Sequence, residues 1–118
     1  MLKFLRPSIF VGFAVLASGP ALAAAPSLNP GKSIYTTNCA GCHGAKAQGG
    51  IGPKLAGDAA NWSFALFRRA MLKYVDDHGQ PLHPPMPNWG KIGFKGDKGK
   101  PPTDAEIRNL QAYLKTFK

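Results

Sequence analysis

The sequence predicts an all-α domain, and three observations carry that reading. Three stretches place apolar residues three and four positions apart, the spacing of amphipathic helices: one ending in Ile34 and Tyr35, one over Phe64–Tyr74, one over Ile107–Phe117. No run of β-branched residues of strand type flanks the chain's two cysteines. Between the helical stretches, many of the 14 glycines and 11 prolines fall in segments that can be neither helix nor regular strand.

In chain order, residues 1–23 read as a signal peptide that is cleaved. Lys3 and Arg6 form a positive n-region, Ile9–Ala17 an apolar h-region, Gly19-Pro20 a helix break, and Ala21-Leu22-Ala23 a small-x-small cleavage site. The apolar run is shorter than the ~20 residues that span a bilayer. Ala23-Ala24-Ala25 offers a second cut, but it would leave Pro26 first. No cysteine follows the cut to carry a lipid.

The first helix should start at Asn29-Pro30, with Asn as cap and Pro at the first helical position. It runs through Gly31, Ile34 and Tyr35 to Asn38. Glycine inside a helix costs ~1 kcal/mol against alanine, so Gly31 one turn before an aromatic points to another helix crossing closely there.

That helix delivers the chain to Cys39-Ala40-Gly41-Cys42-His43. Two thiols three residues apart can add to the two vinyl groups of one haem, and the next residue presents an imidazole nitrogen to the iron. A thioredoxin-like pair would sit in a βαβ context, and a zinc site would want a fourth ligand and usually a second cysteine pair. With two cysteines in the chain and a histidine directly behind the second, the pattern reads as one covalent haem of the c type (heme c). Export agrees with this, because free thiols outside the cytoplasm oxidise unless engaged.

Residues 24–118 are enough for one domain, and a core this small commonly needs a staple, which the apolar haem ring would provide. Losing Lys3 and Arg6 and no acid takes the net charge from +9 to +7. A basic balance serves solubility or an acidic docking partner equally well. Nucleic acid is not indicated in an exported chain without a basic patch interleaved with aromatics.

Gly44–Gly57 is a glycine-rich loop whose backbone can pass close to a haem edge. It lacks the Gly-Lys-Ser/Thr ending of a phosphate loop. Pro53 has no N–H, so its surroundings can offer a carbonyl to the second nitrogen of His43. Asn61 or Ser63 can cap the middle helix, which carries Phe64, Leu66, Phe67, Ala70, Met71 and Tyr74; Asp76-Asp77-His78-Gly79 then reads as the turn that ends it. Pro81-Leu82-His83-Pro84-Pro85-Met86-Pro87-Asn88-Trp89 is a stiff extended loop. Of the two methionines past the leader, Met86 is the better axial ligand, with His83 the rival and His78 a weaker one. Lys91–Lys100 reads as a flexible basic loop. Thr103-Asp104-Ala105-Glu106 is a capping box that opens the last helix, whose stripe is Ile107, Leu110, Leu114 and Phe117 with Tyr113 beside it.

Taken together, these residues resemble a class I c-type cytochrome, similar to small monohaem bacterial periplasmic cytochromes c, over the whole of 24–118. The resemblance implies the cytochrome c fold, three to four short helices around one haem with the terminal helices crossing. It implies that Gly31 and Tyr35 pack on Leu110 and Tyr113. It implies too that Pro53 accepts a hydrogen bond from His43, Leu55 packs on the haem, and His43 and Met86 ligate the iron. The activity implied is periplasmic electron transfer between redox-partner proteins, some with acidic docking surfaces, and not catalysis. The Pro-Leu-His-Pro-Pro-Met-Pro stretch also resembles cytochrome domains that serve periplasmic dehydrogenases, so a fixed subunit of a dehydrogenase or oxidase is the alternative. A haem-based ligand sensor or enzyme would instead need an open sixth position.

Overall fold

The computed structural model describes residues 25–118 and positions 8–9 and 11–12. The signal peptide expected over 1–23 therefore lies, apart from those four positions, outside the described residues, as does its cut after Ala23.

Five helices follow in order: α1 (Leu28–Asn38), α2 (Ala40–His43), α3 (Phe64–Lys73), α4 (Trp89–Ile92) and α5 (Asp104–Leu114), with a 3-10 turn at Ala59–Asn61. Among the described residues there is no strand, only an isolated antiparallel bridge between Val75 and Pro81. The three long helices are the three expected from the sequence. The single turns α2 and α4 and the 3-10 turn raise the count above the three to four expected.

Helix α1 begins two residues earlier than Asn29-Pro30 suggested. Its N-cap is Ser27, whose side chain makes no capping bond. Instead the Ser27 N–H donates to Asn109 Oδ1 at 2.8 Å, so α5 satisfies a donor at the start of α1. Pro30 falls in the first turn, where a missing N–H costs nothing. In α3 the cap is Ser63, whose hydroxyl accepts from the Leu66 N–H at 3.3 Å. The capping box of α5 is complete: Thr103 Oγ1 accepts from the Glu106 N–H at 3.2 Å, and the Thr103 N–H donates to Glu106 Oε1 at 3.0 Å. Thr103→Ala is expected to lower stability by about 1 kcal/mol, read as a shift in the urea midpoint with unchanged slope.

Helices α1 and α5 cross at Gly31. A Cβ there would stand 2.6 Å from the carbonyl carbon of Asn109 and 3.0 Å from Tyr113 Cβ, so only glycine lets the two backbones approach this closely. One turn on, the Tyr35 ring lies 5.8 Å from that of Tyr113 and 6.0 Å from that of Phe117, and Tyr113 meets Phe117 edge-on at 5.1 Å. Tilted pairs at these separations add attraction beyond their burial. Tyr35, Ile107, Leu110 and Leu114 are fully buried, each removing enough apolar surface for about 1.5–3 kcal/mol.

Segment 91–100 is less open than a flexible loop. Lys91 and Ile92 belong to α4, and the Asp97 N–H donates to Phe94 O at 3.0 Å and the Lys100 N–H to Asp97 O at 3.1 Å. Phe94 packs on Trp89 with ring centroids 5.3 Å apart, and the Lys95 N–H donates to Asn38 Oδ1 at 2.9 Å, which ties the segment to the end of α1.

Candidate functional site

Helix α1 stops at Cys39, whose backbone leaves the helical region (φ −120°, ψ −37°), and α2 restarts the chain in a new direction. This kink turns both thiols and His43 toward one cavity of about 540 Å³, within the range of cofactor sites. Its walls include Cys39, Cys42, His43, Leu55, Met71 and Met86. The tyrosine one turn before the kink helps to set it, because the buried Tyr35 hydroxyl donates to the Gly44 carbonyl just past α2. Burial is the main reason that its phenol pKa is pushed up to about 12, so it stays a donor at any ordinary pH.

His43 is only 7% exposed. Its Nδ1 lies 2.8 Å from Pro53 O, and a carbonyl can only accept, so Nδ1 carries the proton and Nε2 keeps a free lone pair. That is how protein metal sites commonly fix a histidine's tautomer and raise its basicity. Gly52 makes room for the ring: a Cβ there would be 2.8 Å from His43 Cε1. The Gly52 N–H donates to Cys42 O at 2.8 Å, which clamps the glycine-rich loop onto the motif. Cys39 and Cys42 are not bonded to each other, and burial pushes the Cys39 thiol up to about 12.

The Met86 loop is held by a residue that sequence reasoning gave a different role. Tyr74, expected as part of the middle helix stripe, is instead its C-cap in the left-handed region (φ 60°, ψ 46°), unusual for a bulky side chain. Its N–H still bonds to Ala70 O, its carbonyl accepts from the Leu82 N–H at 2.9 Å, and its hydroxyl donates to Met86 O at 2.6 Å. The reversal thus aims the phenol at the backbone of Met86. The turn expected at Asp76–Gly79 is present: Asp76 Oδ1 accepts from the N–H groups of His78 and Gln80 at 2.9 and 2.8 Å, and Arg69 Nη2 donates to Asp76 O at 3.1 Å.

The cavity therefore gathers Cys39, Cys42, His43, Leu55 and Met86, with Pro53 behind the imidazole. His83 is exposed on its wall, whereas His78 points to solvent with Asp77 at 3.7 Å. Met71, read from the sequence as core, lines the cavity as well. Three acids, Asp58, which the sequence did not single out, and Asp76 and Asp77, read there only as turn residues, stand on the wall against a single cation, Lys54.

The donor set fits a haem: two thiols three residues apart on one cavity wall, one imidazole with Nε2 free, and a cavity of cofactor size. A helical domain folded around such a cavity is that of a covalent haem protein. The chain belongs to the cytochrome c family, whose family model matches residues 28–118. It holds one c-type haem through Cys39 and Cys42. A relative from Synechocystis sp., described as cytochrome c-553-like, is 32% identical over 87 residues, covering 74% of this chain and 66% of the relative. Less than two thirds of that relative's length is thus spanned. Among solved structures, the c-type cytochrome NirC aligns with a TM-score of 0.49 at 21% identity, over 75% of this chain and 87% of its own. Cytochrome cL from Hyphomicrobium denitrificans aligns with a TM-score of 0.46 at 22% identity, over 74% of this chain and 45% of its own.

Proposed function

We propose that this chain is a periplasmic electron carrier in which His43 and Met86 ligate the haem iron. The observation that supports this most is that His43, with Nδ1 committed to Pro53 O, shares its cavity with the cysteine pair and Met86. When bound, the haem supplies a one-electron couple. His43 would offer Nε2 as a basic proximal ligand, and the thioether of Met86, whose backbone carbonyl accepts from the Tyr74 hydroxyl, would favour the reduced form and raise the potential. Leu55, Phe67 and Leu110 line the cavity with apolar surface and keep water from it. With His43 and Met86 both kept as ligands, the chain would rearrange little and would carry an electron without catalysing a reaction.

Residues 1–23 act in this reading as a cleaved export signal for the domain at 24–118. Among the described residues no helix is long and apolar enough to cross a membrane. Partners are redox proteins that dock weakly through interfaces at the small end of the range, and the excess of basic residues steers those with acidic docking surfaces. The test is the far-red absorption of the purified ferric protein, where sulfur on haem iron produces a weak charge-transfer band. The band is expected; its absence, with ready binding of carbon monoxide by the ferrous protein, would sink the carrier assignment.

A further inference from the structure

Trp62 forms part of the wall of two cavities. One is the haem cavity; the other is a separate surface recess of about 450 Å³ that Trp62 shares with Pro26, Phe64, Arg108 and Lys115. The Trp62 carbonyl accepts from Gln111 Nε2 at 2.8 Å, and Gln111 is only 4% exposed, so α5 anchors the residue between the two spaces. The Arg108 guanidinium lies 3.7 Å above the centroid of the Phe64 ring. No acid lines the recess, and among the described residues neither Arg108 nor Lys115 is in an ion pair. The haem cavity has the opposite balance, with Asp58, Asp76 and Asp77 against Lys54. The basic net charge therefore conceals a local reversal at the haem itself.

We propose that this recess is the docking point for carboxylates of an acidic redox-partner protein, and that Trp62 couples that partner to the haem. The proposal rests on the electron-carrier reading and gives it a place. An acidic surface is repelled at the haem cavity by three carboxylates. At the recess it meets two cations whose charge no neighbour neutralises. Arg108 is already seated over Phe64, so it loses little freedom on pairing with a carboxylate, and its fork suits that partner. Segment 91–100 is also basic, but none of its lysines lines either cavity. Electron tunnelling weakens steeply with the gap it crosses, and Trp62 borders both spaces. One electron passes from the ferrous haem to the partner, the haem being oxidised and the partner reduced, with no proton or bond exchanged.

The test uses the ferric holoprotein titrated with hexaglutamate peptide and followed by amide and indole NMR shifts. The ferrous holoprotein is then oxidised by ferricyanide, an anion, and by tris(phenanthroline)cobalt(III), a cation. Shifts are expected at the Trp62 indole N–H, Arg108 and Lys115. Arg108→Ala combined with Lys115→Ala should slow ferricyanide about three- to tenfold and leave the cobalt reagent unslowed. Trp62→Leu should slow ferricyanide and Trp62→Phe should restore it, while the Arg108 and Lys115 double variant, which does not touch the haem cavity, keeps its visible spectrum. Shifts confined to 91–100, or equal slowing of both oxidants, overturn the proposal. Loss of the carrier reading shows separately, as a missing far-red band, because the peptide titration does not depend on the sixth ligand.

Discussion

Gly31→Ala is expected to destabilise the domain by about 3 kcal/mol, the upper part of the ordinary range for overpacking, read as a lower denaturation midpoint. The new methyl would press on the backbone of Asn109, which cannot turn aside as a flexible side chain could. Helices α1 and α5 must part or slide instead. Either movement loosens the stack of Tyr35 on Tyr113 and Phe117 and draws the Ser27 N–H from Asn109 Oδ1. It also reaches the haem. The Tyr35 hydroxyl holds the Gly44 carbonyl beyond the motif, and Leu110 and Leu114 of α5 stand in the cavity wall. Gly41→Ala is the control, since a Cβ at Gly41 meets nothing within 4 Å and alanine suits a helix better. Equal midpoints for the two variants would show that the crossing has slack.

The parts of this architecture that sequence made legible are those in which cause and effect lie close along the chain. Thr103 and Glu106 are three apart, and that spacing is the capping box. Cys39, Cys42 and His43 are read from five residues. Pro53 was legible as a source of a carbonyl for His43 because a proline narrows what its neighbourhood can do. The glycine at 31 announced a crossing, and the resemblance supplied Leu110 and Tyr113 opposite it, though the closest approach proves to be to the backbone of Asn109. What escaped is set by distant contacts. Ser27 starts α1 because Asn109 of α5 waits for its N–H, which no local cap signal reveals. Tyr74 fits a helical stripe, yet it takes a left-handed conformation because its carbonyl and hydroxyl find partners in the Leu82–Met86 loop. Trp89 read as the end of the stiff extended loop and Lys91 as the start of a basic one, but Trp89 packs on Phe94 and Trp89–Ile92 closes into a helical turn. The three acids of the cavity wall come from two separate segments, and composition reported only their outweighed sum.

Met86→Ala should abolish the far-red band of the ferric protein, lower the reduction potential and let the ferrous protein bind carbon monoxide. The backbone bonds that place the loop do not use the lost side chain: the Tyr74 hydroxyl reaches Met86 O, and the Met86 N–H donates to His83 O at 3.1 Å. The variant therefore keeps its loop and loses its thioether, which makes ligand binding a reading of the iron and not of unfolding. Met71 is the necessary comparison, since it lines the same cavity from α3 and is 7% exposed. A helical side chain at that burial is a packing group, so Met71→Ala should cost about 2–5 kcal/mol of stability and leave the band in place. A band that survives Met86→Ala and vanishes in Met71→Ala would move the sulfur ligand from the proline-bound loop to α3. A sixth position closed in Met86→Ala, with neither band nor carbon monoxide binding, would point to His83, exposed on the same wall, as a ligand that swings in when the thioether is gone. His83→Ala in the Met86→Ala background should then restore carbon monoxide binding, because His78 points to solvent beside Asp77 and does not line the cavity.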